Sequence, residues 1–136
     1  MNKKQIIETL KMFHAETKVS RAEMLIGAGS ALCLYGLREE TSDIDGALPR
    51  HWFEKFVREG KPTHEFKIHG TSVPVCEWSE VIDLHILAAG ALNKTSWVEG
   101  IQVETLEGIL AHKESMNRPK DQDDIRKIKE RLGIKS

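Results

Sequence analysis

Met24-Leu25-Ile26-Gly27-Ala28-Gly29-Ser30-Ala31-Leu32-Cys33-Leu34 is the stretch on which the fold turns. Met24 to Ile26 is a short apolar run closed by Gly27, the pattern of a buried strand. Gly29-Ser30 then opens a helical pattern over 31–37. A serine at the head of a helix accepts from a free backbone N–H, which is ordinary capping. The same place also suits phosphate. Free N–H groups and the positive helix end attract an anion, and glycine lets it approach the backbone. Residue types alone leave both readings open.

Downstream, Asp43 to Leu48 reads as the next strand, and Pro49 starts a helix striped by Trp52, Phe53, Phe56 and Val57. Two further strands, 65–69 and 72–77, flank a hairpin turn at Gly70-Thr71. Pro74 lacks a ladder donor and places its strand at an edge or bulge. Val81 to Leu87 is the most apolar strand; a loop over 88–100 and a short strand at 101–103 follow. Upstream, Ile6, Ile7, Leu10 and Phe13 give residues 3–17 a helical period. At the other end, Thr105 caps a helix bearing Leu106, Ile109 and Leu110. Pro119 separates it from a last helix, acidic at its start, basic at its end and stopped by Gly133. Helices and strands interleave around a central hairpin. The expected fold is therefore α/β or α+β, a mixed β-sheet flanked by helices. One domain spans 1–136, an α/β core over 1–104 followed by a C-terminal helical pair over 105–136.

The 136 residues suffice for one self-supporting core, and 40% hydrophobic with 30% charged residues is an ordinary globular balance. A formal net charge of -1 removes any global basic field for nucleic acid or anionic membrane. No apolar run has the length of a signal peptide or membrane span, so the reading expects a cytoplasmic protein without membrane partners. Cys33 and Cys76 lie in apolar settings and read as buried small hydrophobes, and no CxxC motif suggests zinc.

The chemistry concentrates in acids. Strand alternation puts Asp43 and Asp45 on one face with Ile44 on the other. Two carboxylates this close repel, and a hard divalent cation, Mg2+ or Mn2+, relieves that repulsion. A solvated turn at Ser42-Asp43 is the plain alternative. In Val81-Ile82-Asp83-Leu84-His85-Ile86, Asp83 and His85 share the face opposite three apolar side chains. An aspartate inside so apolar a strand needs a metal or a basic partner. His85 either lines the same site or is buried and hydrogen-bonded. Arg38, Lys113 and Lys120 are candidate phosphate or acceptor contacts, with solvated surface charge as the plain alternative. Trp52, Trp78 and Trp97 read first as core or rim packing, with base stacking as the alternative, and Trp97 in the long loop is the best placed of the three for it.

The order of these elements resembles the nucleotidyltransferase superfamily that includes DNA polymerase β. That family's pattern is a Gly-Ser turn, an acidic pair spaced by one residue, then a third acid among apolar neighbours. Here it reads Gly29-Ser30, Asp43-Ile44-Asp45 and Ile82-Asp83-Leu84. Gly36-Leu37-Arg38 before Thr41-Ser42-Asp43 is similar to small bacterial and phage members. Leu106 to Lys113, Arg118-Pro119-Lys120-Asp121 and Asp124-Ile125 are similar to the closing helices of several such proteins. One departure is Gly46, where the family usually has an apolar residue.

The resemblance implies transfer of a nucleoside monophosphate from an NTP, such as ATP, to an acceptor hydroxyl with release of pyrophosphate. It gives the β/γ-phosphates to Gly29 and Ser30, with Arg38 and Lys113 as secondary contacts. Magnesium or manganese falls to Asp43 and Asp45. Asp83 completes the acceptor-side metal or takes the acceptor proton. The acceptor is open among small molecule, protein and RNA, and a second subunit of the same chain would help enclose a small one. The rival reading keeps the fold without turnover: a nucleotide- or partner-binding protein, as in toxin–antitoxin pairs whose antitoxin resembles a nucleotidyltransferase.

Overall fold

A computed structural model describes residues 1–59, 63–68, 71–76 and 81–134, the two middle segments and Val57 by backbone only. Helix α1, Lys3–Thr17, starts in a capping box in which Asn2 and Gln5 exchange side-chain and backbone hydrogen bonds. Ile6, Leu10 and Phe13 recur at helical spacing and are fully buried, so this face anchors α1 by about 2 kcal/mol per side chain. Strand β1, Leu25–Gly27, and helix α2, Ala28–Leu34, follow. Strand β2 is Ile44–Leu48 and helix α3 is Arg50–Arg58. Strands β3, Thr63–Ile68, and β4, Thr71–Cys76, pair as a separate antiparallel ribbon. Strands β5, Ile82–Ile86, β6, Thr95–Val98, and β7, Ile101–Glu104, precede helices α4, Leu106–Met116, and α5, Gln122–Leu132.

The main sheet has the order β5-β2-β1-β7-β6. β2 runs parallel to β5 and antiparallel to β1, β1 runs parallel to β7, and β6 is antiparallel to β7. The molecule is thus α+β with a mixed sheet and helices, as its interleaved elements imply. Alternation divides the sheet into two faces. Ile44, Gly46, Leu48, Ile82 and Leu84 are buried, while Asp45, Ala47, Asp83 and His85 are half-exposed. The closed face joins one core with α1, with Leu32 and Leu34 of α2, with Trp52, Phe53 and Phe56 of α3, and with Ile125 and Ile128 of α5. Gly46 belongs to that core. A Cβ there would lie 2.3 Å from the Met24 methyl, so the methionine occupies the space that a larger residue would take.

Several boundaries differ from the sequence reading. α2 begins at Ala28 and ends at Leu34, three residues early at each end, because Gly36 turns left-handed at φ 79°. Thr71 pairs with Ile68, so it belongs to β4 and not to a Gly70-Thr71 turn. In a two-stranded ribbon both strands are edges, which accommodates Pro74 opposite Glu65. Residues 88–100 are not all loop: β6 forms there and carries Trp97, 54% exposed. Its hairpin turn is Glu99-Gly100, with φ of 49° and 78°, a left-handed pair usually signalled by Asn-Gly. Cys33 is buried and unpaired; the Cys76 and Trp78 side chains lie outside the described residues. Among the described residues, no helix is long and apolar enough to cross a membrane.

Candidate functional site: a carboxylate cluster on the open sheet face

Strand register builds the site. Gly27 pairs with Asp45, and Asp45 pairs with Asp83, so β1, β2 and β5 contribute one lateral row. Asp43 stands one residue before β2, where the Ile44 N–H donates to the Val81 carbonyl at 2.9 Å and ties the start of β2 to β5. Carboxylate oxygens of Asp43, Asp45 and Asp83 all lie within 4.8 Å of one another, each side chain half-exposed. Three hard oxygen donors converging from a rigid sheet suit a divalent cation of the Mg2+ or Mn2+ type.

Electrostatics carry the mark of this crowding. Burial, a hydrogen bond with Asp43 and the negative charges of Asp43 and Asp45 push the Asp83 carboxyl up to about 6. His85 lies two residues further along β5, its Nε2 3.6 Å from Asp45 Oδ1. The hydrogen bond with Asp45 raises its pKa, and burial opposes that rise. His85 therefore lines the site, one of the two places open to it from sequence.

The glycine-serine turn is more occupied than its sequence suggests. Ser30 is fully buried; its hydroxyl donates to the Gly27 carbonyl at 2.7 Å and accepts from the Asp45 N–H at 3.1 Å. It thereby ties the start of α2 to the acidic strand, and the hydroxyl is engaged by the protein's own backbone. Ala28 adopts φ 51°, a left-handed conformation costly for any residue with a Cβ. Such strain recurs where function fixes a backbone. Gly29 is buried under the Arg38 guanidinium, with Nη1 2.5 Å from where a Cβ would be.

Arg38 and Lys113 are drawn toward the helical pair. Lys113 Nζ, buried on α4, lies 3.1 Å from Asp121 and 3.3 Å from Asp124. Arg118 clasps Asp121 through two hydrogen bonds, which with Lys113 hold that carboxyl down at about 2. Arg38 reaches Asp124 at 4.0 Å. A chain of ionic contacts so runs from the start of α2 to α5, and the Lys113 ammonium is already committed within it. Lys120 is exposed, without an ion-pair partner among the described residues.

One acid was not legible in the sequence. Glu104 ends β7 in the register that places it beside Gly27. Its Oε1 comes within 1.9 Å of where a Gly27 Cβ would stand, and its carboxylate accepts from the Ala28 N–H. Burial raises its pKa, the charge of His112 and the Ala28 hydrogen bond lower it, and Asp45 raises it further. Gly27 is extended, with φ -131°. Glycine there leaves room for the close approach of the Glu104 carboxylate and serves no special backbone angle. Nothing local to Val103-Glu104-Thr105 reveals this, because the contact depends on the parallel pairing of β1 with β7.

The fold and site define an α+β protein presenting a carboxylate cluster on the open face of a mixed sheet. Compared with known proteins, the chain matches no family model, no curated protein and no solved structure.

Proposed function

We propose that the chain is a metal-dependent nucleotidyltransferase, moving a nucleoside monophosphate from an NTP to an acceptor hydroxyl and releasing pyrophosphate. The observation that carries this reading is the convergence of Asp43, Asp45 and Asp83 within 4.8 Å, on a face open to solvent. Asp43 and Asp45 are the residues that would hold magnesium or manganese, with Asp83 completing the set. A cation bound there would supply neutralisation of the phosphate charge. The protein's own contribution is positional. Ser30 fixes β2 against α2, and His85 holds one oxygen of Asp45. Asp83, the third carboxylate of the cluster, is placed to take the acceptor proton. The acceptor oxygen forms a bond to the α-phosphorus, its proton passes to Asp83, and the bond to the bridging oxygen breaks. Pyrophosphate leaves with that electron pair.

The test is magnesium-dependent release of labelled pyrophosphate, comparing the native chain with the Asp43→Asn, Asp45→Asn double variant. Release that survives both substitutions would refute the assignment. A second reading, a partner- or nucleotide-binding protein without turnover, is favoured by one feature: Ser30 and Glu104 already occupy hydrogen-bonding capacity at the Gly-Ser turn. Magnesium-dependent NTP binding without pyrophosphate release from any acceptor would select it.

A further inference from the structure

A cavity of about 360 Å³ opens on the same sheet face beside the acid row. Its floor is Leu25 and Ala47, paired across β1 and β2. Its walls include Ala91 and Lys94 from the segment after β5, then Glu104 and Gly108 at the junction of β7 and α4. Position gives this cavity its meaning. Along β1, Leu25 lies two residues before Gly27 of the row, and α2 begins just after Gly27. Along β2, Ala47 lies two residues beyond Asp45. The acid row therefore stands between the start of α2 and the cavity.

We infer that this cavity is the acceptor site, and that it takes a compact hydroxylated molecule with an apolar ring face and a single acidic group. The inference rests on the nucleotidyltransferase reading. In-line displacement requires the acceptor oxygen to approach from the side opposite the leaving pyrophosphate. With the β/γ-phosphates toward Gly29, where the resemblance puts them, the cavity lies on that opposite side of the acid row. The volume suits a small molecule and not a macromolecular chain. Leu25, Ala47 and Ala91 offer an apolar surface for a ring face. Glu104, shared between the cavity and the acid row, accepts a hydrogen bond from the acceptor hydroxyl and orients it. Lys94 is exposed, has no ion-pair partner among the described residues, and pairs with the acidic group. One lysine does not match a polyphosphate chain, and one glutamate does not match a polycation. The chemistry is that of the transfer itself: the hydroxyl oxygen bonds to the α-phosphorus, its proton passes to the carboxylates of the row, and pyrophosphate leaves with the electron pair of the broken bond.

The experiment is an amide NMR titration of the full chain with mandelate, a ring-bearing hydroxy acid, in the presence and absence of Mn2+ and a nonhydrolysable ATP analogue. Mandelate is expected to shift the amides of Ala47, Ala91, Lys94 and Gly108, and to do so with the analogue bound. Ala47→Leu, which fills the floor, abolishes those shifts while Mn2+ still broadens the signals around Asp43, Asp45 and Asp83. Lys94→Glu weakens mandelate about fivefold, the scale of an exposed ion pair reversed in sign. Absence of shifts at these amides, or mandelate binding unchanged in Ala47→Leu, overturns the inference. Displacement of mandelate by the analogue with Mn2+ at the acids assigns the cavity to the nucleotide and also overturns it, leaving the transferase reading intact. No effect of Mn2+ at the three aspartates removes the transferase reading itself, and the acceptor assignment with it.

Discussion

Replacing Asp83 with asparagine should make the metal-free protein more stable at neutral pH. The folded state raises this carboxyl from 3.8 to about 6, chiefly by burial and then by Asp43 and Asp45. A group with a raised acid pKa binds its proton more tightly when folded, so its contribution favours the fold below about pH 4 and is lost as pH rises through 6. The full rise corresponds to about 3 kcal/mol against the ionised form. Asp83 is half-exposed, and solvent screening reduces this to roughly 1.5 kcal/mol. Asparagine keeps a donor toward Asp43 and carries no charge. For a chain of this length, the gain is a melting temperature about 5 °C higher. Thermal unfolding in EDTA should show this advantage near pH 7.5, and it should shrink to nothing toward pH 4. Excess Mg2+ should reverse the order. A cation at about a hundred times its Kd stabilises the native chain by about 2.7 kcal/mol, and the variant has lost one ligand. Asp83→Asn that melts lower than native in EDTA at neutral pH, or a difference that ignores pH, would show that the three carboxylates do not strain one another.

Other perturbations probe neighbouring parts. His85 should titrate above 6.5 in EDTA, because its partner Asp45 stabilises the imidazolium, and Mg2+ should pull that pKa down; NMR of the imidazole protons reads both. The stability this pairing supplies is full below 6.5 and fades as pH rises through the raised value. Lys113→Ala leaves the buried Asp124 carboxylate without its nearest cation and should cost about 3 kcal/mol in denaturant unfolding; a cost near zero would mean that Arg38 substitutes for it. Gly27→Ala places a methyl on the Glu104 carboxylate and should cost roughly 2 kcal/mol, most of it recovered in the double variant with Glu104→Ala. No recovery would show that Gly27 serves something other than Glu104.

Local pattern carried much of the architecture. The period of Ile6, Leu10 and Phe13, the apolar run into Gly27, and the Thr105 cap all locate elements because each reflects a local physical demand. β6 escaped because its turn is Glu99-Gly100, and a left-handed glutamate carries no turn signature. At the site, Asp43, Asp45, Asp83 and His85 were legible together, since strand alternation fixes the face of each. What alternation cannot supply is the partner strand. The lateral row through Gly27, the reach of Glu104 over it and the cavity beyond Ala47 all come from pairing between distant segments. Lys113 illustrates the converse: a basic residue that reads as a phosphate contact is buried in a clasp with Asp121 and Asp124, two acids on the following turn and helix.

The central claim is that Asp43, Asp45 and Asp83 form a metal site serving an NTP. Crystals grown with Mn2+ and a nonhydrolysable ATP analogue test it by anomalous scattering. The expected result is a manganese peak within about 2.0–2.3 Å of carboxylate oxygens from Asp43 and Asp45, with a phosphate oxygen of the analogue completing its coordination. Manganese elsewhere, or an analogue bound away from these three aspartates, would contradict it.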